Sequence, residues 1–181
     1  MPLELSLADK PLDNIKLVLK DKNTKKINIA IRKTLDYHYG SLYKAYVDRY
    51  NKGEGDKTFN EAGAFLHDIW FGQLRAPKNA NSPNGASLAL INRHFGNFLD
   101  FKRDFETESM KIQGSGWIYL SRSGQIKTIR NHQIKNDIAL LVDWWEHAWA
   151  MDYAANKKKY LSSMWRIINW EAVNRRIYAN K

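Results

Sequence analysis

The sequence predicts an α+β fold, in which an antiparallel helical hairpin precedes an α/β half with a small three-stranded antiparallel sheet flanked by helices. Three observations predict it. Apolar residues recur at helical spacing on both sides of a short polar turn in the first half. A stretch rich in Pro, Gly and Asn follows. Beyond that stretch, helical segments surround three short runs with strand character.

The helical hairpin is predicted from two stripes. From residue 25 to about 50, apolar and aromatic positions recur every three or four residues, at Ile27, Ile31, Leu35, His38, Leu42 and Tyr46. Residues 51–58 form a polar turn, and helical spacing resumes from Phe59 to Leu74. Two helices joined by so short a turn are expected to pack antiparallel. His38 and His67 should then lie on facing apolar surfaces.

The remaining boundaries follow from composition. Residues 75–87 contain two prolines and three asparagines, so they predict a linker between a hairpin domain at 25–74 and a C-terminal domain at 88–181, with a Lys-rich extension at 1–24. The C-terminal domain is predicted to contain helices at 87–94, 97–110 and 160–178 and strands at 116–121, 125–130 and 138–143.

Composition limits the function. The 181 residues include 29 Lys and Arg against 19 Asp and Glu, a net charge of +10 that favours anionic partners. There is no cysteine, which excludes disulfides, iron–sulfur clusters and thiolate metal sites. No apolar run approaches the ~18 residues of a membrane span, and the N-terminal residues lack a signal-peptide pattern. We therefore expect a cytoplasmic protein with no membrane partner.

Histidines are few, which makes the search for a site short. Besides His38 and His67, the segment DWWEH places Asp143 four residues before His147. Three imidazoles and one carboxylate would suit Fe, Mn or Zn. A histidine on an apolar helix face is also commonly an ordinary core residue, so a metal site and a polar core are both open at this point.

Longer motifs surround these residues. They are KTLDYHYGSLYKAYV around His38, FNEAGAFLHDIWFGQLRAP around His67, FGNFLDFKRDFE with GSGWIYL, and DWWEHAWAMDY with KYLSSMWRIINWEAVNRR. Taken in this order, from about residue 33 to 178, the motifs resemble the iron/manganese superoxide dismutases. The segment around DWWEHA, followed by an aromatic-rich NWE segment, is the most specific part of the resemblance.

The resemblance implies a metal site and a reaction. By it, His38, His67, Asp143 and His147 bind one Fe or Mn ion per subunit, and superoxide is converted to dioxygen and hydrogen peroxide. Tyr46 matches the family's gateway tyrosine, which can hydrogen-bond solvent and pass protons. An aromatic wall around the metal is expected from Trp70, Phe71, Trp117 and Trp145. The family also implies a homodimer, in which Glu146 pairs with His147 of the partner subunit.

The sequence departs from the family in the group expected to hydrogen-bond solvent at the metal. The helix position that holds glutamine in part of the family is Gly63, so the sheet should supply this group. Alignment places His132 there, and a shift of one residue would place Gln133 instead. His132 is preferred as a catalytic residue. A histidine in this position could also titrate near neutral pH.

Other departures concern the dimer contact and the surface charge. Leu42 and Ala150 replace a histidine and a tyrosine that meet across the family's dimer contact, which predicts a drier contact. The run Lys157–Lys159 stands where the family often carries an arginine-rich segment, so it is expected to steer superoxide.

Two rival functions remain at this stage. A nucleic-acid-binding module would suit the charge, although the basic residues are spread over the chain. A catalytically silent relative is the other. Fe and Mn also remain alternatives, because the ligands are common to both types of enzyme.

Overall fold

A computed structural model describes residues 34–179, so the predicted extension at 1–24 and the first part of the predicted stripe, at 25–33, lie outside the described residues. The helical hairpin is present. A π-helix at His38–Tyr43 runs directly into helix α1 at Lys44–Lys52, and helix α2 follows at Lys57–Gly72. The turn between α1 and α2 begins at Gly53, whose φ of 69° is left-handed, and ends at Asp56, whose side chain caps α2 by accepting from the Phe59 amide at 2.9 Å.

The π-helix decides which side chains the first helical segment turns towards the interior. In a regular α-helix, the eight residues from His38 to Tyr46 would put the two side chains about 80° apart. The wider π turn takes up about one extra residue, which brings them close to the same face. Both rings contact the His67 ring, with ring centroids 4.9 Å and 5.3 Å away. The turn thus directs His38 and Tyr46 towards one point.

The C-terminal half surrounds a three-stranded antiparallel sheet. Helices α3 at Gly85–Phe95 and α4 at Phe98–Met110 precede the strands β1 at Gly116–Ser121, β2 at Ile126–Arg130 and β3 at Ile138–Asp143. The strand order is β2-β1-β3, and the register pairs Trp117 with Asp143. Every residue of β1 and β3 is buried, which agrees with their continuous apolar sequences. The predicted fold class is confirmed.

Three short helices follow the sheet: α5 at Glu146–Tyr153, α6 at Lys157–Met164 and α7 at Trp170–Tyr178. The prediction of a single helix at 160–178 is wrong. Carbonyl groups between α6 and α7 accept hydrogen bonds from the segment after α2: Ile167 from the Arg75 amide at 2.8 Å, and Trp165 and Ile168 from the Asn81 side chain at 2.9 and 2.8 Å. These contacts interrupt the helix. Helix α5 was not predicted.

The core lies between the sheet and the helices on either side of it. Its largest fully buried side chains include Trp117, Trp144, Tyr43, Phe71, Phe101 and Phe105. Trp165 and Trp170 pack against Phe98 with centroid distances of 6.0 and 5.5 Å. Within residues 34–179, no helix has the length and apolar content needed to cross a membrane.

Candidate metal centre

Four predicted ligands converge at the contact between the two halves. Helix α2 carries His67, the π-helix carries His38, β3 ends at Asp143, and α5 carries His147 one turn later. Each offers one ligand atom, and these atoms all lie within 4.8 Å of one another. The Nε2 atoms of His38, His147 and His67 are 3.1, 3.2 and 3.8 Å from Oδ2 of Asp143.

The donor set fits a metal ion. Nδ1 of His67 lies 2.6 Å from the Gly63 carbonyl, to which it donates, so Nε2 of this ring presents a lone pair to the cluster. Nε2 of His38 and Nε2 of His67 are buried and have no hydrogen-bond partner among residues 34–179. The Nε2 lone pair of His67 faces Oδ2 of Asp143 at 3.8 Å, and these two electron-rich atoms repel each other unless a cation lies between them.

The protonation states suit the same conclusion. Burial lowers the pKa of His38, and it lowers the pKa of His67 well below the usual value, so both rings are neutral at neutral pH. Burial alone would raise the pKa of Asp143, but His147 and His38 outweigh it and hold this pKa below its usual range. Imidazole nitrogens and a carboxylate oxygen are ligand types that Fe and Mn accept.

Aromatic rings enclose the cluster, as expected. Trp70 stacks on His38 at 4.7 Å, and Phe71 meets the same ring edge-on at 5.1 Å. Trp117 meets His67 edge-on at 5.0 Å, and Trp145 stacks on His147 at 5.7 Å. The wall leaves little room for water and keeps the local dielectric constant low.

His132 and Tyr46 form a hydrogen-bonded chain beside the ligands. Indole Nε1 of Trp117 can only donate, and it lies 3.1 Å from Nδ1 of His132. The proton of the neutral ring must therefore reside on Nε2, which lies 3.0 Å from the Tyr46 hydroxyl and donates to it. Both nitrogens of His132 are engaged. His132 is buried and Gln133 is exposed, so the structure brings His132 and not Gln133 to the site.

Two expectations about His132 change with this geometry. Burial lowers the pKa of His132 to about 4, so the ring does not titrate near neutral pH. Its N–H is directed to Tyr46 and is not free for solvent at the metal. Burial also raises the pKa of Tyr46 to about 12, which keeps this hydroxyl protonated at neutral pH. The sequence pattern could not show which nitrogen of His132 carries the proton, because this depends on the hydrogen bond from Trp117, which lies 15 residues earlier in β1.

Gly63 makes room for Tyr46. A Cβ atom at this position would lie 2.9 Å from two atoms of the Tyr46 ring, closer than carbon atoms approach. The Tyr46 ring therefore packs directly on the backbone of α2. The same residue supplies the carbonyl that orients His67.

Other predicted residues lie away from the cluster. Glu146 is exposed at the start of α5, one residue before His147. Among the lysines, Nζ of Lys157 lies 4.8 Å from the centre of the Trp149 ring, and Lys158 forms an ion pair with Glu106 at 3.0 Å. The fifth histidine, His94, lies against the turn at Gly124.

Three further residues bind the elements of the site and were not singled out in the sequence. They are Gln73, Tyr160 and Arg176, whose side chains hydrogen-bond the backbone of β3. No local sequence signal identifies them, since each partner is distant along the chain.

A buried three-histidine, one-aspartate centre between a helical hairpin and an α/β half defines a mononuclear metalloprotein. The comparisons with known proteins agree with this class. Residues 83–176 match the family described as iron/manganese superoxide dismutases, C-terminal domain. Superoxide dismutase [Fe] of Bacteroides fragilis is 33% identical over 177 residues, covering 82% of this chain and 91% of that protein.

Two other relatives extend the similarity. Superoxide dismutase [Fe] of Sulfolobus acidocaldarius is 33% identical, covering 81% of this chain and 86% of the relative. Superoxide dismutase [Mn/Fe] of Porphyromonas gingivalis is 30% identical, covering 82% and 91%. The chain belongs to the iron/manganese superoxide dismutase family, and the resemblance seen in the sequence is confirmed.

Proposed function

We propose that the protein is a superoxide dismutase, which converts two superoxide ions and two protons to dioxygen and hydrogen peroxide at a mononuclear Fe or Mn site. The observation that carries the proposal is the convergence of the four ligand atoms of His38, His67, Asp143 and His147 within 4.8 Å. Family membership supports the reaction. A bound Fe or Mn ion supplies the two oxidation states through which superoxide is oxidised and reduced.

The chain's own residues fix the ligands and manage protons. The Gly63 carbonyl holds His67 with Nε2 towards the ion, and the Trp145 amide donates to Oδ1 of Asp143 at 2.8 Å, leaving Oδ2 for the cluster. His132 donates to the Tyr46 oxygen, so the hydroxyl proton of Tyr46 is available for donation to a superoxide-derived anion. The aromatic wall excludes bulk water.

The two halves are proposed to be the domains 25–74 and 88–181, joined by 75–87. The first supplies His38 and His67, and the second supplies Asp143 and His147. Metal binding then stabilises the contact between them, because the ion is fully coordinated only when both are in place. The cytoplasmic location expected from the sequence stays a prediction.

The activity is tested by preparing metal-free protein, loading it with Fe or with Mn, and following superoxide decay directly. At least one form should accelerate the decay. Protein that retains either metal fully and leaves the decay unchanged would favour the catalytically silent relative. Salt-dependent retention on DNA without dismutase activity would favour the nucleic-acid module.

A homodimer is proposed, with Glu146 accepting from His147 of the partner subunit. Its exposed position beside the ligand His147 supports the proposal. Glu146→Ala should shift the protein towards monomer and lower its metal content, because the partner ligand loses the group that orients it. Sedimentation and metal analysis measure the two effects, and the exposed Glu171→Ala variant is the control. Unchanged values for Glu146→Ala would refute the bridge.

A further inference from the structure

The outer edge of β3 is covered by side chains. Among the described residues, β3 pairs with a strand only on its β1 side. Alternation along the strand turns the backbone of Ala139, Leu141 and Asp143 away from β1. The three carbonyls accept hydrogen bonds from Arg176, Gln73 and Tyr160, in that order. An edge that would need a fourth strand is satisfied by one side chain from each of three helices.

The side-chain amide of Gln73 pairs with β3 as the backbone of a neighbouring strand would. It is fully buried at the C-terminal end of α2, and its amide oxygen accepts from the Leu141 amide at 3.1 Å. Its Nε2 donates to the Leu141 carbonyl. This two-way pairing fixes the side chain to one residue of β3.

Arg176 ties the same two elements from α7. Nε donates to the Ala139 carbonyl at 3.0 Å, Nη1 to the Ile69 carbonyl of α2 at 3.1 Å, and Nη2 to Oε1 of Gln73 at 2.8 Å. Burial lowers the pKa of Arg176 to about 10, so the guanidinium is charged at neutral pH. A rigid planar fork with three bonds leaves its partners little freedom to slide.

We propose that Gln73 and Arg176, the β3 clamp, are positioning residues that set the separation of His67 from Asp143, an inference that rests on the proposed metal centre. On the α2 side, the clamp includes Ile69 and Gln73, two and six residues after His67. On β3, it bonds Ala139 and Leu141, four and two residues before Asp143. A shift between α2 and β3 therefore moves a nitrogen ligand relative to the oxygen ligand. Coordination distances tolerate only about 0.2 Å of such movement.

The experiment compares Arg176→Met, which removes all three donors, with Arg175→Met, which removes the same charge from an exposed neighbour on α7. Arg176→Lys keeps the charge and the stem and serves as the milder variant, should Arg176→Met not fold. Gln73→Met tests the other half of the clamp. Each protein is loaded with Fe, and its EPR spectrum, reduction potential and rate of iron loss to a chelator are measured well below its unfolding temperature.

The clamp predicts an altered EPR spectrum and about 10-fold faster iron loss in the Arg176 and Gln73 variants, with Arg175→Met like wild type. A purely structural role would lower only the unfolding temperature. Wild-type spectrum, potential and release rate in every variant that folds would overturn the inference. Wild-type protein that holds no iron or consumes no superoxide would instead contradict the proposed function, so the two failures are distinguishable.

Discussion

Helix α2 and strand β3 meet at two places that differ in how their polar groups are satisfied. At the metal centre, the buried Nε2 atom of His67 on α2 lacks a hydrogen-bond partner within the described part of the chain, as does Nε2 of His38 on the π-helix. At the outer edge of β3, the polar atoms of the β3 clamp and its backbone partners are paired. The first contact is costly without a cation, whereas the second is satisfied by the protein alone.

The difference shows that α2 and β3 carry metal-binding groups at one place and the hydrogen bonds that hold the two elements together at another. Lone pairs that converge on one point are needed to bind an ion, and they weaken the fold that holds them. A few residues along the same elements, paired hydrogen bonds hold α2 and β3 in register. Substitutions at the metal centre should therefore abolish metal binding, whereas substitutions in the β3 clamp should alter the geometry and the release rate of a bound metal.

The largest effect is expected from Asp143→Asn. The amide keeps the acceptor for the Trp145 amide but removes the only anionic ligand, so metal content should fall to background and activity with it. The metal-free protein should also be less stable than wild type at neutral pH, because His147 and His38 hold the pKa of the Asp143 carboxyl below its usual range and the ionised carboxylate therefore stabilises the folded state. Metal analysis and denaturant unfolding measure the two quantities. Full metal occupancy would remove Asp143 from the ligand set.

A second prediction concerns pH and the metal-free protein. Because the pKa of His132 is about 4 when folded and near 6.5 when unfolded, the unfolded state binds more protons between these values. The free energy of unfolding should therefore decrease as pH falls from 6.5 towards 4, by up to roughly 3 kcal/mol for this group. His132→Gln should reduce that decrease.

Denaturant unfolding at a series of pH values measures the change, and His94→Gln, an exposed histidine, is the control. The expected result is a flatter pH dependence in His132→Gln alone. Equal slopes in all three proteins would contradict the buried, neutral state of His132.

Gly63→Ala tests the contact between α2 and the gateway tyrosine. The new Cβ would lie 2.9 Å from the Tyr46 ring, so the ring must move, at a cost of about 1–3 kcal/mol of unfolding free energy. Moving the ring also breaks the bond from His132, and dismutase activity should fall while metal content is kept. Gly72→Ala, with open space at its Cβ, is the matched control on the same helix. Wild-type activity in Gly63→Ala would show that Tyr46 has room to adjust.

The smallest effect is expected from surface charge. Lysines attract superoxide through a field that salt screens within a Debye length of about 8 Å. Neutralising Lys157–Lys159 should lower the rate a few-fold at low salt and flatten its salt dependence. The control is the same change at Lys102 in α4, Lys111 directly after α4 and Lys127 in β2. Identical salt dependence in both triple variants would exclude a special role for the first set.

Sequence reasoning succeeded where local patterns determine structure. Strands 116–121 and 138–143 were predicted with the observed bounds, because their apolar runs end at polar or turn-forming residues. Motifs around His38, His67 and DWWEH identified the residues that the structure brings together. Their roles as ligands stay predictions until a metal is measured.

Other features could not be predicted because their causes are distant in sequence. The break between α6 and α7 depends on Asn81, more than 80 residues earlier. Arg176 meets Gln73 across 103 positions. The tautomer of His132 depends on Trp117, and its pKa depends on burial. A spacing pattern in the sequence shows neither.

The π-helix at His38–Tyr43 has a consequence for how chain length varies in this protein. It accommodates about one residue more than a regular turn, and its outer side carries the exposed residues Gly40 and Ser41. A chain with one of these two deleted can keep His38 and Tyr46 on the same face, seven residues apart in an ordinary α-helix. A one-residue gap at this point of an alignment is therefore compatible with the same metal centre, because the seven-residue spacing still places His38 and Tyr46 on one face of the helix.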